Sequence, residues 1–135
     1  MAAEKYKIRT VEKNEYRVYL KKAAEFFDVM GEAHRLAKWN AVGLNAVHCA
    51  ISSADAMLVF YAGIRSAGES HLSVVEIFSK TIEADDVKAR SDALRKIIAK
   101  KNLIEYENRD FSQREAIDIA KQTERFYKWI LLSIG

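Results

Sequence analysis

The chain reads as an all-α protein: a single domain over residues 1–135, folded as an up-and-down helical bundle of four long helices plus one short helix. Three observations predict this. Proline is absent from all 135 residues; proline breaks helix interiors and decorates loops, so its absence favours long helices with few connections. Apolar residues recur at helical spacing, and no segment shows the clean alternation of a strand. Half the residues are apolar or aromatic, which excludes a disordered chain and suffices for one buried core at this length.

The first helix is expected from about Thr10 to Ala37. Tyr16, Leu20, Ala23, Ala24, Phe27, Met30 and His34 share one face, and Gly31 is a candidate kink. The second, from about Trp39 to Ala67, is apolar nearly all round and should be the central helix. Gly43 and several alanines allow neighbours to approach it closely. Gly68 is the expected left-handed stop, and Ser70 or Ser73 then opens the short third helix, Ser73-Val-Val-Glu76 having the form of a capping box. The fourth helix is expected from about Ala84 to Tyr106, with Asp85 and Asp86 at its positive end. Asn108-Arg-Asp110 makes a turn. Ser112-Gln-Arg-Glu115, a second capping box, opens the fifth helix, whose apolar face carries Ala116, Ile119, Ala120, Thr123, Phe126, Tyr127 and Ile130.

Composition narrows the function classes. A formal net charge of +3 permits an anionic partner without demanding one. The lone Cys49 cannot make an internal disulfide, no Cys/His spacing suggests a metal, and no glycine-rich phosphate loop is present. No metal or cofactor is therefore expected. The opening Met1-Ala-Ala-Glu-Lys-Tyr-Lys lacks the apolar core of a signal peptide, and the cysteine usage fits the cytoplasm. The most apolar stretch, Trp39 to Ile64, carries Asn45, His48, Ser52, Ser53 and Asp55, which are costly in lipid. It is read as a buried helix of a soluble bundle with no membrane role.

Two features depart from a plain bundle. Asn45, His48, Ser52 and Asp55 recur at steps of three, four and three, one polar stripe on an apolar helix. Buried polar groups need partners, so the stripe is either a satisfied seam in a core or dimer interface, or the lining of a functional groove. A hydrolase triad is excluded, because a serine, histidine and aspartate on one helix cannot converge on a carbonyl with an oxyanion hole. In the fourth helix, Arg90 and Lys101 fall inside the apolar arc of Val87, Leu94, Ile97, Ile98 and Ile104. They either snorkel or hold a cation near a cleft that takes phosphate. Glu105, one turn past Lys101, can pair with it on the surface. Lys101, Asn102 and Tyr106 put a cation, an amide and a phenol on the last turns of that helix. The C-terminal end of a helix disfavours phosphate unless cations compensate. His71 reads as an ordinary turn histidine and His34 as structural.

The order of these features, from about Glu12 to Ile130, resembles the HEPN family (higher eukaryotes and prokaryotes nucleotide-binding). The likeness lies in the small-residue helix from Asn40 to Ala56, Gly68-Glu-Ser-His71, the run from Leu94 to Tyr106, and the Ser112-Gln-Arg-Glu-Ala116 opening. The resemblance implies a helical bundle that dimerises, with a groove between the copies. Many members of the family are metal-independent ribonucleases in toxin–antitoxin or defence systems, and relatives often sit beside a nucleotidyltransferase. Their motif is an arginine, then Asn, Asp or His, then a histidine about four to six residues after the arginine. The matching positions here are Lys101, Asn102 and Tyr106. Lysine keeps the charge but loses the bidentate fork, and a phenol is a poor general base at neutral pH. The resemblance therefore implies first a non-catalytic module, a homodimer binding a nucleotide, RNA or protein partner. Lys101, Asn102 and Tyr106 would line its groove, with Asn45, His48 and Asp55 contributing. The alternatives are a metal-independent endoribonuclease using Lys101, Asn102, Tyr106 and His48, and a purely structural or interaction module.

Overall fold

The computed structural model describes residues 7–68 and 70–135 and is organised around one helix, α2 (Trp39–Ala62), buried almost continuously from Val42 to Val59. The opening residues 1–6, and Glu69 within the Gly68–His71 segment, lie outside the described residues. By length and composition α2 could cross a membrane, but here it is the core helix, with 78% of its most apolar window buried. It is apolar on every side because it has neighbours on every side. α1 (Tyr16–Arg35) and α6 (Gln113–Ile134) lie along it, while α3 (Leu72–Thr81) and α4 (Val87–Ala99) close the remaining flank. Val47 and Leu58 of α2 meet Phe78 of α3, Leu94 and Ile97 of α4, and Phe126 and Ile130 of α6 in one cluster. The Phe78 and Phe126 rings stand 5.9 Å apart. Aromatic groups of this size dominate such a core. The all-α bundle expected from the sequence is thus the architecture observed.

Several boundaries differ from expectation, each for a local reason. Two three-residue strands exist where none was expected: β1 (Ile8–Thr10) pairs antiparallel with β2 (Ile64–Ser66), setting Arg9 opposite Arg65. A pair this short, joined across more than fifty residues, leaves no alternation to read. A 3₁₀ turn at Lys13–Glu15 precedes α1, so the first helix starts later than expected, and it runs through Gly31. α2 stops at Gly63, not Gly68. Gly63 takes φ +63°, its N–H donates to the Val59 carbonyl at 2.9 Å, and its own carbonyl accepts from Val11 N–H at 2.8 Å. A Cβ there would lie 3.1 Å from the Val11 carbonyl oxygen, so glycine fits where another residue would strain.

α3 has no capping box. Its first residue is Leu72, and Ser73 Oγ instead donates to the Ser70 carbonyl and lies 2.6 Å from Ser66 Oγ, tying the helix to β2. The expected fourth helix divides. Lys100 N–H reaches back three residues to the Ile97 carbonyl, and the chain restarts as α5 (Lys101–Tyr106). The capping box at Ser112 forms as expected. Ser112 Oγ accepts from Glu115 N–H at 3.1 Å, and Glu115 Oε1 accepts from Ser112 N–H at 2.9 Å. Arg109 forks onto the same carboxylate with two bonds of 2.9 Å. That charged fork and the backbone bond from Ser112 hold the Glu115 carboxyl down at about 2.

Candidate functional site

The stripe on α2 divides into residues spent locally and residues that meet other elements. Asn45 turns back, its Nδ2 donating to the Ala41 carbonyl at 2.8 Å. Ser52 is buried, 8% exposed. Asp55, 4% exposed, has Oδ2 3.6 Å from the guanidinium of Arg65 on β2. Burial pushes the Asp55 carboxyl up to about 6, with Arg65 and Lys22 opposing. His48 behaves differently. It packs against the Phe26 ring at 5.4 Å and shares an electrostatic environment with His71, Lys101 and Glu105. No hydrogen bond joins His48, Ser52 and Asp55.

His48 and Asp55, expected to contribute to one groove, thus face different clusters. The one around His48 is assembled from three parts of the chain. His71 stands at the N-terminal end of α3, just before Leu72. Lys101 and Asn102 form the first turn of α5, rather than the last turns of a long helix. Between these two elements lies a hollow of about 310 Å³ lined by Ser70, His71, Leu72, Lys101, Asn102 and Tyr106, with Ile98 beneath. Lys101 Nζ donates to Glu105 Oε2 at 2.7 Å, the pairing expected from their spacing. Tyr106 stands at the rim, 75% exposed.

The electrostatics follow from this crowding. Burial holds both imidazoles below the ordinary histidine range. His71 and Lys101 push His48 further down, and Lys101 does the same to His71, while Glu105 partly offsets both. The cluster is therefore the Lys101–Glu105 ion pair beside two imidazoles whose charged forms are disfavoured. A neighbouring negative charge favours the protonated form of an imidazole. Neutral imidazoles can also accept protons. Sequence reasoning passed over His71 as a turn residue. Its relation to Lys101 depends on the packing of α3 against α4 and could not be read locally.

Arg90, the other cation in the apolar arc, is accounted for: it lies 5.2 Å over the Trp129 ring and bonds Asp86. Cys49 is buried, and its thiol is pushed up to about 12 by burial, which suits packing rather than chemistry. Among the described residues no group of three His, Cys, Asp or Glu side chains is arranged to hold a metal ion. A roomier hollow of about 490 Å³ is lined by Met57, Tyr61, Ile82, Glu83 and Ser133 and contributes a carboxylate but no cation. The chain matches no family model, no curated protein and no solved structure.

Proposed function

We propose that this chain is a HEPN-like module that binds the phosphate of a nucleotide or RNA in the hollow between the start of α3 and α5. One observation carries the reading. Lys101, which the resemblance aligns with the motif cation, shares its hollow with His71 and its electrostatic environment with His48, two histidines from outside the motif. Lys101 would give the phosphate its charge, Asn102 an amide donor, and the imidazoles two more donors once protonated. The positive end of α3 lies at the same rim and adds to the attraction. Exposed Tyr106 offers a ring on which a base can stack. A homodimer with two such hollows facing a shared groove, and a nucleotidyltransferase-type partner in a toxin–antitoxin or defence setting, belong to the same proposal.

Binding should strengthen as pH falls below the ordinary imidazole range, because an anion and a proton then favour each other's binding. A titration of labelled AMP and a short RNA, followed by fluorescence anisotropy, tests this. Lys101→Ala should weaken binding about tenfold, a loss of about 1.4 kcal/mol, and Lys101→Ala/His71→Ala should also flatten the pH dependence. Unchanged affinity in the double variant would remove the site.

Neutral imidazoles beside a cation favour a second reading, a metal-independent ribonuclease. One imidazole would take the proton of a 2′-OH as that oxygen attacks the adjacent phosphorus. The departing 5′-oxygen would take a proton from water, and Lys101 would hold the developing charge. EDTA-resistant cleavage of an RNA pool, lost on Lys101→Ala/His71→Ala, would support this over binding alone.

A further inference from the structure

A second cationic cluster lies on the same face of α2. The strand register sets Arg9 directly opposite Arg65. Residues opposite each other in an antiparallel pair share a face, and like charges so placed repel. Arg65 sits 5.2 Å over the Tyr19 ring and Lys22 5.6 Å over the same ring, so a third cation joins them. Among the described residues the only carboxylate in contact is Asp55, 3.6 Å from the Arg65 Nη2. Buried Nε of Arg65 and buried Oδ1 of Asp55 both lack hydrogen-bond partners. Arg9 and Lys22 have no ion pair among the described residues. By the alternation of the strand, Lys7 lies on the Arg9 side, and its carbonyl accepts from Ala67 N–H, near the segment that leads to His71.

His48 and Asp55 relate the two clusters. They are seven residues apart on one face of α2, which is about 10 Å along the axis. We infer that the ligand is a single-stranded nucleic acid that runs from the Lys101 hollow to the Arg9, Lys22 and Arg65 cluster. This rests on the phosphate reading of the hollow. Two cationic clusters set against positions two turns apart on α2 offer more than one mononucleotide phosphate can engage. They suit successive phosphates of a strand of about four nucleotides or more. Tyr106 at the rim of the hollow fits a strand with unpaired bases better than a lipid surface, which would need a broad apolar face beside the cations.

The test is anisotropy with labelled oligoadenylates of two to twelve nucleotides, as RNA and as DNA, at several salt concentrations. Wild type should gain tenfold or more in affinity between the dinucleotide and the octanucleotide. Arg9→Glu/Lys22→Glu, with folding verified by circular dichroism, should abolish that gain and flatten the salt dependence while keeping dinucleotide affinity. Lys101→Ala should weaken all lengths. A full length gain in the Arg9/Lys22 variant overturns the proposal. Loss of binding in that variant with no effect of Lys101→Ala defeats the hollow reading and leaves one site at the strand pair, which also overturns a ligand spanning both. Length-independent binding, matched by vesicles of phosphatidylcholine with phosphatidylserine, would replace the nucleic acid with a membrane surface.

Discussion

At the scale of single residues, burial moves two neighbouring titrations on α2 in opposite directions. His48 is held down and Asp55 is pushed up to about 6, because desolvation disfavours the charged form of each. A carboxyl whose folded pKa exceeds its unfolded value contributes stability at low pH that is lost as pH rises through about 6. From the ordinary value of 3.8 the full effect is on the order of 3 kcal/mol. His48 and His71 act oppositely, since a depressed imidazole adds stability as pH rises through its ordinary range. Wild type should therefore be compared with Asp55→Asn rather than read alone. Chemical unfolding from pH 4.5 to 7.5 should show wild type losing stability relative to the variant. A constant difference across that range would show that Asp55 does not carry the effect. The sequence marks His48 and Asp55 as anomalies but not their separation into two clusters, because Lys101 reaches His48 from a distant segment and Arg65 reaches Asp55 from β2, after the chain reverses at Gly63.

At the scale of elements, the break between α4 and α5 decides where Lys101 sits, and Gly43 decides how closely α5 approaches α2. A Cβ at Gly43 would stand 2.7 Å from Ile104 Cδ1 and 2.9 Å from two ring atoms of Phe111. Ile104 ends in a movable methyl. The Phe111 ring is 1% exposed, and Asn40 Oδ1 holds the Phe111 N–H at 2.7 Å, so it has little room to shift. Gly43→Ala should cost about 1–3 kcal/mol through overpacking. Gly31→Ala, where nothing lies within 4 Å of the added methyl, should instead stabilise by about 0.5–1 kcal/mol through helix propensity. Urea melts of both variants check this, and shifts in the same direction would contradict it. The close approach at Gly43 was visible in the sequence as a small-residue stretch. The Ser112 cap was visible too, since its residues lie three apart. The strand pair and the stop at Gly63 were not, because both depend on contacts between Ile8–Thr10 or Val11 and a segment about fifty residues away.

At the scale of the whole molecule, the bundle brings the end of β2, the start of α3 and the start of α5 to one face of α2. The all-α class follows from periodicity and the absence of proline, which act locally. The convergence of Lys101, His71 and His48 follows from packing, which periodicity does not encode. The proposed function stands on that convergence. The most direct measurement is NMR of the three histidine imidazoles during titration with a short RNA. An anion bound beside Lys101 favours the imidazolium, so the titration midpoints of His48 and His71 should both rise. His34 packs against the Trp39 ring at 5.6 Å instead. Midpoints of His48 and His71 that stay where they are at saturating RNA would contradict the account.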